Sequence, residues 1–276
     1  MIPRYTRQET IQLLRSTIAA ERPILGAGAS AGIVAKSAEV AGADLMIVYS
    51  TGKSRLMGLP TSWLGDSNKI TLEMFEEINN VLTRTPIIGG IEASDPTHLD
   101  LRYLLQKFRT VGYSGIINFP TVGVMPERSR QREDVGLGFS RDIELIRVAH
   151  EEDTFSMAYV FDPDQAARMA RAGADCIVAH AGWTVGGLVG AKKSAITIEK
   201  VVDRVNEIFA AASAINPQAI RLIHGGRIST PEDTRLMYAA TDAQGFVGAS
   251  SIERIPIEEA VQRVVREFKS ISIRRD

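Results

Sequence analysis

Ala172-Gly173-Ala174-Asp175-Cys176-Ile177-Val178-Ala179-His180-Ala181-Gly182-Trp183 is the stretch from which the fold is read. It opens as a helix exit, because glycine at a helix C-cap followed by a strand is ordinary αβ-loop chemistry. Cys176–His180 is then a short, nearly continuous apolar run. That is the pattern of a parallel strand buried on both faces. The run stops at a histidine and a glycine, so the strand end is polar where the strand is not. The first four residues echo Ala41-Gly42-Ala43-Asp44, which also precede an apolar run.

Seven more runs of this kind surround it: Ile24–Gly28, Leu45–Ser50, Ile87–Glu92, Gly115–Phe119, Phe155–Phe161, Ile220–His224 and Gly245–Gly248. Helix-length segments with apolar residues at 3.6 spacing separate them: Ala31–Ala41, Leu72–Leu82, His98–Val111, Ser140–Glu151, Asp164–Ala172, Ile196–Ala212, Pro231–Ala239 and Pro256–Lys269. Asp95-Pro96, Asp162-Pro163 and Thr230-Pro231 each put a capping side chain before a proline at a first helical position. An extra helix precedes the first strand, with Thr6 and Glu9 spaced as a capping box and Ile11, Leu14 and Ile18 as its apolar stripe. Eight βα units predict an α/β fold, a (β/α)₈ TIM barrel with an extra N-terminal helix; a doubly wound open sheet is the competitor.

The chain has 276 residues, and one such barrel takes ~250. The units therefore fill 1–276 as a single domain, with 1–22 as the N-terminal helix and 121–138 as a long loop after the fourth strand. That loop, Thr121–Gly138, is rich in Gly, Pro and charge and carries Arg128, Arg130 and Arg132. It reads as a basic lid over an anionic substrate, or as a solvated loop or subunit contact.

Composition narrows the class. Hydrophobic residues make up 45% of the chain, enough for a real core. Lys+Arg 32 against Asp+Glu 33 leaves a net charge of −1, which argues against a nucleic-acid-coating surface. The lone cysteine, Cys176, allows no intramolecular disulfide and no thiolate cluster, and it reads as inert core. No run approaches the ~18 apolar residues of a membrane span. The first residues lack the apolar segment of a signal peptide. The expectation is a cytoplasmic protein with neither membrane nor nucleic-acid partner.

Barrel sites lie at the C-terminal strand ends, and here those ends are polar and glycine-rich. Gly225-Gly226 and Gly248-Ala249-Ser250-Ser251 follow strands seven and eight, where many barrels bind a phosphate through backbone N–H groups. The alternative is that these glycines only make tight turns. Gly52-Lys53-Ser54 and Gly187-Leu188-Val189-Gly190-Ala191-Lys192-Lys193-Ser194 both miss the P-loop spacing. The second reads as a flexible surface loop. Glu92 ends an apolar strand among glycines, where burial would raise its pKa or a divalent ion would offset its charge; otherwise it is a solvated strand-end glutamate. Asp95 and Asp162 read first as N-caps. His180 would point into the mouth as a general acid/base or ligand, or be a hydrogen-bonded structural histidine. His224 touches an anion or caps its loop. No lysine sits within a strand, which disfavours imine chemistry.

The runs Ala93-Ser94-Asp95-Pro96, Asn118-Phe119-Pro120-Thr121-Val122-Gly123, Ala172-Gly173-Ala174-Asp175, Gly186-Gly187-x-x-Gly190-Ala191, His224-Gly225-Gly226 and Gly248-Ala249-Ser250-Ser251-x-Glu253-Arg254 resemble the phosphoenolpyruvate hydrolase-like barrel proteins. Some of these are labelled phosphonopyruvate hydrolases, and a similar domain forms the C-terminal part of a plant tobamovirus-resistance protein. The resemblance spans nearly the whole chain. It implies a barrel of the pyruvate/phosphoenolpyruvate-binding group and a homo-oligomer. Well-understood members of that group hold Mg²⁺ and a 2-oxo acid with strand-end carboxylates, including an Asp-x-Asp near strand three. Here that end reads Gly89-Gly90-Ile91-Glu92, with Asp95 three residues on.

The expectation is therefore a hydrolase or lyase that cleaves a C–P, C–C or C–O bond in a small oxo acid or phosphorylated acid. Glu92, His180 and His224 are the catalytic candidates. Glu92 would hold a divalent metal such as Mg²⁺ or act as base, and His180 would transfer a proton. Ser50, Asn118, Gly225, Gly226, Gly248, Ala249 and Ser250 would bind the anionic substrate. The competing expectation is a non-catalytic barrel that binds a small anionic ligand or a macromolecular partner.

Overall fold

The computed structural model describes residues 5–192 and 196–273. Its strands are β1 (Ile24–Gly28), β2 (Leu45–Val48), β3 (Ile87–Gly90), β4 (Gly115–Ile117), β5 (Phe155–Val160), β6 (Cys176–His180), β7 (Ile220–His224) and β8 (Gly245–Gly248). Each pairs in parallel with the next, and β8 pairs with β1, so the sheet closes. The helices are α1 (Arg7–Ala19), α2 (Gly32–Val40), α3 (Ser50–Leu56), α4 (Ser67–Val81), α5 (Leu101–Val111), α6 (Pro126–Glu133), α7 (Phe139–Glu151), α8 (Pro163–Arg171), α9 (Ile198–Ser213), α10 (Pro231–Ala240) and α11 (Ile255–Lys269). The eight expected strands are all present, four with the expected bounds and four shorter at the C-terminal end.

Side chains alternate between two cores, as the period of two in a strand requires. One core fills the barrel: Leu45, Ile47 and Tyr49; Phe155, Met157 and Tyr159; Cys176 and Val178; Ile220 and Leu222. Leu14 of α1 joins it, so the N-terminal helix packs against the barrel's own interior cluster. The other core lies between strands and helices and includes Met46, Ile116, Ala158, Ile177, Leu104 and Phe209. His180 and His224 fall on the inward register of β6 and β7, and they stand opposite each other in the ladder. This alternation delivers both imidazoles to the mouth.

Local signals act as their chemistry dictates. Thr6 and Glu9 form the capping box of α1. Asp162 caps α8 and Thr230 caps α10, each ahead of a proline. Gly42 and Gly173 take positive φ of 96° and 93° at the two echoed helix exits. Asp95-Pro96 departs from the expectation. The helix starts later, at Leu101 with Asp100 as its cap, because Asp95 spends its carboxylate on the intervening turn.

The 121–138 loop is also corrected: it is largely helical. A 3₁₀ turn covers Val122–Val124, and α6 follows. Pro126 opens α6, Glu127 lies in its first turn, and Arg130 and Arg132 lie in its last, an order that suits the helix dipole. Arg132 turns inward and donates to the carbonyls of Ser94 (3.0 Å) and Leu137 (3.2 Å), whereas Arg128 and Arg130 are exposed. Arg132 thus ties this helical segment to the turn after β3. In the glycine-rich stretch 187–194, Lys193 and Ser194 lie outside the described residues. Gly187 and Gly190 pack against Arg254, and the Leu188 N–H donates to Glu258 (2.7 Å). No helix among the described residues is long and apolar enough to cross a membrane.

Candidate active site

The strand ends of β2 and β4 to β7 bring an aromatic cluster to the mouth. Tyr49 meets Phe119 at a centroid distance of 4.9 Å, Phe119 meets Tyr159 at 5.4 Å, and Phe161 meets His180 at 4.7 Å. His180 and His224 touch each other at 4.6 Å with ring planes 69° apart. Above these rings is a small cavity of about 20 Å³, room for about one water, lined by Tyr49, Arg55, His180, His224, Ala249 and Ser250 among others. It shares Thr61, Trp183, Thr184 and Ser250 with an outer vestibule of about 210 Å³. Trp183 packs edge-on against Trp63 at that level.

Hydrogen bonds set the two histidines in opposite tautomers. The His224 Nδ1–H donates to the Val247 carbonyl (2.6 Å), which leaves Nε2 as a bare lone pair. His180 Nδ1 accepts the Gly182 N–H (3.0 Å), which puts the ring proton on Nε2. Burial holds both rings neutral. It takes His224 down to about 4, with Arg55 adding to the effect and the Val247 bond opposing it. Burial also takes His180 well below its ordinary value, with the neighbouring His224 adding to it. The mouth thus offers one proton acceptor and one N–H donor side by side.

Arg55 comes from α3, and its side chain is 2% exposed. It lies over the Tyr49 ring at 5.4 Å and forms an ion pair with Glu253, whose side chain is 0% exposed. The Arg55 Nε reaches Glu253 Oε1 at 2.6 Å, and Nη2 donates to the same oxygen. The other oxygen, Oε2, accepts the Ser30 hydroxyl at 2.5 Å. Gly52 permits this arrangement, since a Cβ there would overlap the Ser30 hydroxyl. Arg55 lines the cavity and Glu253 does not, so the positive end of the pair faces inward.

The other expected residues are placed as follows. Ala249 and Ser250 line the cavity. Gly225 and Gly226 take φ of 74° and 60°, and the Gly226 N–H donates to the Gly182 carbonyl (2.7 Å), so that donor is already used. Gly248 packs against Ile252. Asn118 is buried, and its amide exchanges both hydrogen bonds with the Tyr159 backbone (2.7 and 3.3 Å), tying β4 to β5. The Ser50 N–H donates to Thr71, and its hydroxyl is buried without a partner among the described residues. Cys176 is fully buried.

Glu92 stands apart from the histidine cavity, at the end of β3. Burial raises its pKa, Ser67 opposes the shift, and Asp95 adds to it. The Glu92 backbone is clamped by the Asn68 amide, which also reaches Asp95. Burial alone would raise the Asp95 carboxyl. The hydrogen bonds from Thr97, His98 and Asn68 outweigh it and hold the group at about 2. Asp95 is thus fully engaged by protein donors. Nearby, Asp142 of α7 is buried with neither carboxyl oxygen in a hydrogen bond of ordinary geometry among the described residues. It faces Thr121 and Asn118, and burial lifts it to about 8.

A divalent cation fits this donor set poorly. Among the described residues no group of three or more His, Cys, Asp and Glu is placed to hold one. Of the carboxyls near Glu92, Asp95 is taken up by Thr97, His98 and Asn68, and Asp142 is kept protonated by burial up to about pH 8. The histidine cavity offers one bare nitrogen beside a guanidinium.

Two functional candidates, Arg55 and Glu253, escape local sequence reading. The only trace of Arg55 is the polar run Lys53-Ser54-Arg55 just past a strand end, and Glu253 sits inside a motif that carries the resemblance without a role of its own.

The whole chain has known relatives. It is 41% identical over 272 residues to the tomato (Solanum lycopersicum) ToMV susceptible protein tm-1(GCR26), covering 95% of this chain and 35% of that protein. It is 40% identical over 276 residues to the tomato ToMV resistance protein Tm-1(GCR237), covering 97% of this chain and 36% of that protein. The chain therefore spans about a third of the length of these relatives. Among solved structures, phosphonopyruvate hydrolase in complex with oxalate and Mg²⁺ superposes with a TM-score of 0.61 at 18% identity, over 94% of this chain and 87% of that one. A 2,3-dimethylmalate lyase of the PEP mutase/isocitrate lyase superfamily gives 0.63 at 13% identity, over 97% and 89%. These structural likenesses show the barrel fold. A family model described as phosphoenolpyruvate hydrolase-like matches residues 9–271, and the chain belongs to that family.

Proposed function

We propose that the chain is a lyase or hydrolase of a small anionic oxo acid, acting by acid–base chemistry at the His180–His224 pair. One observation carries this reading: two buried, neutral imidazoles meet at the mouth with opposite tautomers. His224 Nε2 takes a proton from the substrate or from an attacking water. His180 Nε2–H donates to the oxygen on which charge develops as the C–P, C–C or C–O bond breaks. Ala249 and Ser250 bound the anionic end. The names of fold neighbours that cleave small acids support the substrate class.

Glu92 does not line the cavity with the histidines. Its raised pKa suits a reserve acid or base at the rim; a Mg²⁺ role would have to draw on Asp142, whose carboxyl burial lifts to about 8, because Asp95 is engaged by protein donors. The test is turnover of phosphonopyruvate, oxaloacetate and substituted malates by the wild type and by His224→Asn. Turnover that falls at least ~10²-fold in the variant is expected for loss of a general base. Equal rates would refute the assignment.

The names of the tomato relatives favour a second reading, a barrel that binds a ligand or partner without turning it over. Tight binding of an oxo acid that is never consumed would support it. A homo-oligomer is supported by α11, which buries none of its residues and exposes Ile257, Val261, Val264, Val265 and Phe268. Light scattering that gives a monomer at micromolar concentration would refute it.

A further inference from the structure

Resting on the reading of the histidine cavity as the substrate site, we infer that this cavity takes the end of a carboxylate directly on the Arg55 guanidinium, without a divalent cation, while the rest of the ligand lies in the adjoining vestibule of about 210 Å³. Among the described residues no carboxylate lines the cavity. Glu253 has one oxygen on Arg55 and the other on Ser30. Asp95 is engaged by Thr97, His98 and Asn68, and Glu92 lies outside the lining. Of the two imidazoles, one nitrogen of each is taken by backbone and His180 Nε2 carries a proton, so only His224 Nε2 has a free lone pair. A dication there would meet one neutral ligand and a positive charge. An anion meets the reverse: the positive end of a buried ion pair, a ring N–H and a hydroxyl, with the compensating charge of Glu253 turned away. The ion pair uses Nε and Nη2, whereas a guanidinium carries five N–H donors in a fork that matches a carboxylate. Glu253, Ser30 and the Tyr49 ring fix that fork in advance, so binding needs little reordering of the arginine.

The roles of Arg55 and Glu253 are therefore opposite in sign. Arg55 attracts the ligand. Glu253 orients Arg55 and weakens its field.

The experiment is calorimetric titration of the full chain with oxalate, first in EDTA and then with excess Mg²⁺ at matched free oxalate. Oxalate is expected to bind in EDTA, with an affinity that changes less than threefold on adding Mg²⁺. Arg55→Met combined with Glu253→Gln leaves neither partner as an unpaired buried charge. That double variant is expected to melt as a folded protein and to lose oxalate affinity at least tenfold. Glu253→Gln alone keeps an acceptor for Arg55 and is expected to bind oxalate severalfold more tightly. Three results would each overturn the inference: binding that requires Mg²⁺, unchanged affinity in the folded double variant, or no binding of oxalate under either condition. A chain that binds oxalate without metal yet turns over no oxo acid would sink the lyase reading and leave this one standing. Turnover that needs a cation, with oxalate bound only in its presence, would do the reverse.

Discussion

Replacing Asp142 by Asn should make the protein more stable at neutral and alkaline pH and leave it nearly unchanged in acid. The carboxyl is 0% exposed and neither oxygen has a hydrogen-bond partner of ordinary geometry among the described residues. Burial lifts its pKa from 3.8 to about 8. The folded chain therefore keeps the proton up to about pH 8, whereas the unfolded chain releases it near pH 4. Between those values the unfolded state binds fewer protons, so stability falls as pH rises, by about 1.36 kcal/mol per pH unit. The whole interval comes to about 6 kcal/mol, and the part reached at pH 7 to about 4 kcal/mol. Asparagine has the shape of the neutral acid and cannot ionise, so it removes the slope. The assay is urea unfolding of wild type and Asp142→Asn at half-unit steps from pH 4 to pH 8.5. The difference between the two curves isolates this site, because every other titrating group is common to both. The expected difference starts near its acid-limit value at pH 4 and grows in favour of the variant through pH 8. A difference that is flat with pH, or that grows in favour of the wild type, would refute the assignment of a neutral buried acid.

Three further outcomes follow from the geometry. His224 is held at about 4, so the acid limb of kcat/KM should fall near pH 4 and not near 6.5; a limb centred on 6.5 in a pH–rate profile would exclude His224 as the base. Gly52→Ala puts a methyl group against the Ser30 hydroxyl and should cost about 1–3 kcal/mol by overpacking, measured by urea unfolding; a stability equal to wild type would show that Ser30 moves freely. The Tyr159 hydroxyl is buried without a hydrogen bond of ordinary geometry among the described residues. Tyr159→Phe should therefore raise stability by up to about 1 kcal/mol, and a loss above ~2 kcal/mol in thermal melts would mean that the hydroxyl has a partner.

The barrel was legible because its signals are local and periodic. Apolar runs of strand length, the glycines of the exits at 42 and 173, and the caps at Thr6, Asp162 and Thr230 each depend on neighbours a few residues away. The misplaced features depend on which partners the side chains choose, some of them local and some distant in sequence. Asp95 looks like a cap until Thr97, His98 and Asn68 take its oxygens. The 121–138 segment looks like a free loop, because its charge hides a short helix that is strapped by Arg132 to the Ser94 carbonyl. Helix α3 carries Ser, Thr and Gly at its start, all poor helix formers, so Arg55 reads as a loop residue. For the site, the period of two foretells that His180 and His224 face inward, but not which nitrogen each ring protonates. That is set by the carbonyl of Val247 and the N–H of Gly182.

The contact among Ser30, Arg55 and Glu253 also constrains how the chain folds. It joins the loop after β1, the helix after β2 and the turn after β8, so its partners lie 223 and 198 positions apart in sequence. Ser30 and Arg55 are made early, and Glu253 comes from the last βα unit. The native ion pair of Arg55 cannot form before the segment after β8 is in place. Loop closure on this scale is slow, because its entropy is lost before the contact rewards it. Ring closure and assembly of the mouth therefore both require the eighth unit, and a chain cut before it would lack the charge that orients Arg55 as well as the strand that seals the sheet.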